Sequence, residues 1–373
     1  MVKIQKKIKG YSVTKPGDRL VDAPQGAFTN DQDRRLVLDN VPAPPIASLR
    51  WAKRPVIEGG VDGRSYTVVS PNSRFNVLVN HYVNGSPMSP FECWVMGEPP
   101  RGLNAIAKSI SMDLRSKDRG WVLKKLDALA KTDGEPFDMH LPDGTLARMP
   151  SAVAAFARLV KFRCAELGAF DDLTESSVRD ALMSNKEPKT TTDGTLSWTV
   201  DVSNGITGDD FILVLKEAVL PSGQRRPFSL WLSGAYPKSL DGLCKCLSLD
   251  LRVVDIAWGA RKLQQLQDCA EPRGEFMAPV PGSDKSAWYP STVAYIAELC
   301  LHRLKMLGLL NEQGEPAVAT GVVSFADEKA RREQHETLEQ KHQGILCNSC
   351  QSYSARMIDG CLTCVSCGAS KCG

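Results

Sequence analysis

The residues best suited to chemistry crowd the last 27 positions, which hold six of the twelve cysteines. Cys347-Asn-Ser-Cys350 and Cys364-Val-Ser-Cys367 are two CxxC knuckles with 13 residues between them, close to the spacing with which zinc ribbons gather four thiolates. Zinc takes four thiolates tetrahedrally at about 2.3 Å, and Gly368 after the second knuckle lets backbone amides turn toward the sulfurs. The expected metal set is therefore Cys347, Cys350, Cys364 and Cys367 around one structural zinc. A disulfide framework is the competing reading; the length of the chain and the lack of a secretion signal disfavour it.

Two tail thiols exceed what zinc needs. Cys361 lies three residues before Cys364, so Cys361-Leu-Thr-Cys364 overlaps the knuckle and leaves open which sulfurs hold the metal. Cys372 is the penultimate residue and follows Lys371, a cation that favours thiolate. Cys361 and Cys372 are the candidate redox thiols for disulfide exchange, with incidental exposed cysteines as the even alternative. Elsewhere the five histidines show no HExxH spacing, and there is no glycine-rich phosphate loop, carboxylate pair or Ser/His/Asp arrangement. The chain carries no recognisable self-contained active site. The other six cysteines (Cys93, Cys164, Cys244, Cys246, Cys269, Cys300) sit in apolar stretches and are expected to be small buried hydrophobes.

What positions the tail is a long, ordinary-looking body. Of 373 residues, 42% are hydrophobic and 24% charged, with a net charge of +3, which suits a globular chain of two or three domains and falls short of a dedicated nucleic-acid wrapper. No run of about 18 apolar residues and no secretory apolar core appear, so the expectation is a cytoplasmic protein with no membrane span.

The body contains a repeat. Phe91 to Leu129 aligns without gaps on Phe228 to Leu266, with 15 of 39 positions identical, among them Trp94 with Trp231, Asp113 with Asp250, Arg115 with Arg252 and Trp121 with Trp258. The match resumes at Met149 to Gly168 over Tyr289 to Gly308 and extends weakly upstream to Phe75 and Phe211. Each copy predicts strands at Phe75 to Val79 and Phe91 to Met96, or at Phe211 to Leu215 and Phe228 to Leu232. An apolar helical stripe follows: Leu103, Ile106, Ala107, Ile110 and Leu114, or Leu240, Leu243, Cys244, Leu247 and Leu251. Asp118 and Asp255 suit the N-cap of a second helix, Ser151 and Ser291 that of a third. The four matched tryptophans are expected to be core anchors.

The expected fold class is α+β: a tandem repeat of a small antiparallel sheet covered by three helices, followed by a C-terminal zinc ribbon. Residues 1–60 form an N-terminal arm, 61–170 the first repeat, 171–194 a linker, 195–312 the second repeat, 313–344 a charged tether, and 345–373 the ribbon and thiol tail.

The ending GCLTCVSCGASKCG, preceded by CNSC, resembles the tail of adenosylcobalamin-dependent, class II ribonucleotide reductases. The duplicated segment is similar to the TSCPD domain that lies between the catalytic barrel and the tail of those enzymes. One departure is that the domain's naming cysteine is not evident: Leu103 and Leu240 occupy its neighbourhood, with Cys244 and Cys246 nearby. A larger one is that the chain has no room for the barrel, its radical cysteines or its cobalamin site. The resemblance implies an accessory or split-subunit component whose tail thiols relay reducing equivalents from a thioredoxin-like reductant to a separate class II catalytic subunit, with cobalamin entering only through that partner. The alternative is a zinc-ribbon module that binds nucleic acid or protein; its basic pieces, such as Arg225-Arg226 and Arg331-Arg332, are short and dispersed.

Overall fold

The computed structural model describes residues 54, 57, 59–83, 88–116, 118–173, 177–180, 182–184, 186–190, 192, 194–219, 223–317, 355–358, 361–364 and 370–372. The chain divides into two compact units, Met1–Val323 and Ser324–Gly373. The fold is mixed α and β, with small antiparallel sheets.

In the first half of the larger unit, β1 (Asp62–Ser70), β2 (Ser73–Val83) and β3 (Met88–Glu98) form a three-stranded sheet in that order. Helices α1 (Leu103–Leu114) and α2 (Arg119–Leu129) follow, then a hairpin of β4 (Phe137–His140) and β5 (Leu146–Met149), then α3 (Ala152–Glu166). After the short α4 (Ser177–Asp180) the same order recurs. The sheet is β6 (Ser197–Asn204), β7 (Asp209–Val219) and β8 (Arg225–Ala235); next come α5 (Leu240–Leu251), α6 (Ile256–Gln267), the hairpin β9 (Phe276–Pro279) and β10 (Ser286–Tyr289), and α7 (Thr292–Met306).

The registers agree as well as the order. Leu78 pairs with Trp94, and Val214 with Trp231; a bulge interrupts the ladder between Asn80 and His81, and again between Lys216 and Glu217. Each sheet has one strand more than the apolar runs predict, β1 and β6, because these edge strands bury only one or two residues and so lack an apolar run. The two small hairpins are too short and polar to stand out for the same reason.

Local chemistry sets the helix ends. Asp118 accepts from the Trp121 amide, Asp255 from that of Ala257, Ser151 from that of Ala154 and Ser291 from that of Ala294, so each predicted cap satisfies a backbone donor that the helix leaves unpaired. The apolar stripes of α1 and α5 are buried throughout. Each also stitches its sheet: Ser111 Oγ receives the Cys93 amide and donates to the Cys93 carbonyl, while Ser248 Oγ receives the amide of Leu230.

The tryptophans divide. Trp121 and Trp258 are buried and meet edge to face with centroids 6.5 Å apart. Trp94 and Trp231 are not core anchors; each is about half exposed. Strand alternation is the reason: Cys93 and Val95, like Leu230 and Leu232, take the buried side of their strands and leave the tryptophan between them on the other.

The halves pack on each other through one extended core. On α5, Gly242 sits where a Cβ would meet side-chain methyls of Val153 and Ile106 within 3 Å, so a larger residue there would force the first half to repack. The segment between the halves adds Val178 and Leu182 to a second core with Trp121, Leu249, Val253 and Trp258. The Val178 amide donates to Asp118, and Leu182 bridges Val253.

Candidate functional site

The body cysteines can be set aside on chemical grounds. Cys93, Cys164, Cys244, Cys246, Cys269 and Cys300 are free and buried. Burial pushes the thiols of Cys164, Cys246 and Cys300 up to about 12 and that of Cys269 to about 11, and raises Cys93 and Cys244 as well. Buried thiols held this far from ionisation are poor nucleophiles at neutral pH. Cys244 and Cys246 are therefore packing residues of α5.

In the smaller unit, β11 (Ala355–Ile358), β12 (Cys361–Cys364) and β13 (Ser370–Cys372) form an antiparallel sheet in that order. Its register brings the two candidate redox cysteines together: Cys361 is the direct partner of Cys372. Partners in an antiparallel ladder have Cα atoms about 4.5–5.5 Å apart, within the range of about 4.4–6.8 Å that a disulfide spans. Cys364 pairs instead with Ala355.

Of the expected zinc ligands, Cys347, Cys350 and Cys367 lie outside the described residues. Among the described residues no group of three or more histidines, cysteines or carboxylates could hold a metal ion, and no helix is long and apolar enough to cross a membrane.

The most concentrated charge cluster in the body escaped sequence reasoning. Lys125 and Lys262, one from each half, are fully buried between Asp113 and Asp250. Lys125 Nζ lies 2.6 Å from both Asp250 oxygens and 3.0 Å from Asp113 Oδ2, and Lys262 Nζ lies 2.5 Å from Asp113 Oδ1. Trp121 Nε1 donates to Asp113 and Trp258 Nε1 to Asp250. Burial opposes the charge on Lys125, but the Asp113 and Asp250 carboxylates outweigh it and hold its pKa above the ordinary lysine value. Two ammonium groups and two carboxylates cancel, and their bonds cross between the halves. The cluster is closed to solvent and reads as an interlock. A legible signal existed: lysine and aspartate are identical at matched positions in both copies.

Comparison with protein-family models, with curated proteins and with solved structures finds no match for this chain.

Proposed function

We propose that this protein is an accessory or split-subunit component of a class II, adenosylcobalamin-dependent ribonucleoside-diphosphate reductase, and that its tail carries reducing equivalents to the catalytic subunit. The observation that carries the proposal is the pairing of Cys361 with Cys372 across β12 and β13, two cysteines that the zinc set does not need. In the reduced tail, one thiolate attacks a disulfide left on the catalytic subunit and forms a mixed disulfide. The second thiol then displaces the partner's sulfur. The tail becomes a disulfide, the catalytic pair regains two electrons and two protons, and a thioredoxin-like dithiol resets the tail.

On this reading the two halves of the body are copies of one TSCPD-like domain, a view supported by the 15 matched identities and by the repeated order of elements. Cys347, Cys350, Cys364 and Cys367 hold a structural zinc that keeps the tail strands in register. The purified chain should then contain about one zinc, lost in a Cys350→Ser, Cys367→Ser variant.

The test mixes the full chain with a class II catalytic subunit and a thioredoxin system. Multiple turnover should fall sharply with Cys361→Ser and with Cys372→Ser, while a single turnover of the pre-reduced catalytic subunit is unchanged. Undiminished multiple turnover in both variants would defeat the relay.

A further inference from the structure

The larger unit contains a groove of about 1370 Å³ that the tail chemistry does not use. One wall is α2 of the first half; the other is the edge strand β8 and α5 of the second. Its charge is lopsided. Six cationic side chains line it, Lys124, Lys131, Arg179, Lys186, Lys245 and Arg252; Lys245 already donates to the Lys131 carbonyl and the Thr132 hydroxyl, and Lys124 and Arg179 also have partners. The four carboxylates present are Asp127, Asp133, Glu187 and Asp241, and three of them are engaged. Asp127 pairs with Lys161, Glu187 with Lys216 and Trp231 Nε1, and Asp241 accepts from the Tyr236 hydroxyl.

Two features go beyond surface charge. Arg252 is only 6% exposed and donates through Nε to the Ser248 carbonyl, yet its Nη1 is buried without a hydrogen-bond partner. A buried guanidinium nitrogen left unsatisfied is costly unless an acceptor arrives. At the rim stands Trp231, half exposed, with Lys216 Nζ 5.3 Å from its ring centre. An indole anchored through Nε1 to Glu187 and Ser229, held by an ammonium group and half open to solvent is a stacking platform beside a set of anion donors.

We propose that this groove binds a phosphate-bearing nucleobase ligand, with the base stacked on Trp231 and the phosphates among the lysines and arginines. The shared chemistry of a nucleoside polyphosphate and a single strand of nucleic acid satisfies both features; an anion without a planar base satisfies only one. The site stands independently of the tail relay. The other half offers no equal: the positions matching Lys131 and Asp133 are Asp268 and Ala270, and the one matching Tyr236 is Pro99.

The experiment titrates the full chain with fluorescently labelled oligo-dT, with ATP and with inorganic tripolyphosphate, by anisotropy and calorimetry. The expected result is binding of oligo-dT, of ATP or of both, weakened about five- to tenfold by Trp231→Ala and further by Lys131→Glu with Lys186→Glu, while Trp94→Ala has no effect. ATP competing fully with oligo-dT identifies a nucleotide site; oligo-dT binding that ATP does not displace identifies a strand site. All the altered side chains are exposed or half exposed, and unchanged melting temperatures should confirm that the variants fold. Tripolyphosphate binding as tightly as either nucleotide probe, indifference to Trp231→Ala, or no binding by either nucleotide probe would overturn the proposal.

Discussion

At the bulge that interrupts the central strand of each sheet, the two halves place different groups, an imidazole and a carboxylate, in equivalent surroundings. In the first half His81 follows the bulge and faces Arg163 of α3, whose Nη2 is 3.5 Å from His81 Nδ1. In the second half Glu217 stands there, and Arg303 of α7 holds it with two bonds of 2.7 and 3.1 Å, reinforced by Arg225 at 2.6 Å. The first half moves its buried carboxylate one strand over. Glu92 on β3 takes Asn80 and Arg54 as partners, while the second half has Ser229 at that position. Backbone geometry is shared because apolar alternation and caps specify it, whereas buried charge is free to move provided that its partner moves too.

The interlock of Lys125, Lys262, Asp113 and Asp250 is what both halves hold in common, so it offers the largest effect. Replacing either lysine with methionine strands a buried carboxylate and should cost about 3–5 kcal/mol, measured by urea denaturation. Equal losses for Lys125→Met and Lys262→Met sustain the symmetry; a difference above about 1.5 kcal/mol would break it.

The bulge sites should then separate the halves. Arg303→Met leaves the fully buried Glu217 side chain with only the half-open Arg225 and should cost about 3 kcal/mol. Arg163→Met removes a partly exposed pair with Glu166 and a long contact to the His81 ring and should cost less than about 1 kcal/mol. Comparable losses would mean that the carboxylate is not what the second half must satisfy.

The smallest effect is a pH dependence confined to the first half. Burial, and then Arg163, lower the His81 pKa, while Asp62 works the other way. A histidine with a depressed folded pKa stays neutral in the native chain where the unfolded chain already takes up a proton. Its contribution is complete above the unfolded value of about 6.5 and is lost as pH falls through the folded one. His81→Gln should flatten stability between pH 7 and 5 by comparison with wild type. An unaltered slope would assign the acid sensitivity elsewhere.

Much of this architecture was legible one strand and one helix at a time. Asp118, Asp255, Ser151 and Ser291 cap because a short oxygen-bearing side chain next to an apolar periodic run has one obvious local use. The stripes of α1 and α5 were readable because burial of a helix face imposes its own period. Trp94 and Trp231 misled because a matched tryptophan signals packing only when the side of its strand is known. The groove was not readable, and the interlock was hinted at only by its matched lysines and aspartates, because each is assembled from residues more than a hundred positions apart.

The sequence by itself determined the long helices, two strands of each three-stranded sheet, their order, the caps and the burial of the scattered cysteines, since these follow from periodicity and hydrogen bonding within a few residues. Which face of β8 carries Trp231, which lysine meets which aspartate, and that Cys361 lies opposite Cys372 were decided by tertiary structure alone. Strand register and the approach of one half to the other depend on how whole surfaces fit, and no local spacing encodes that sum.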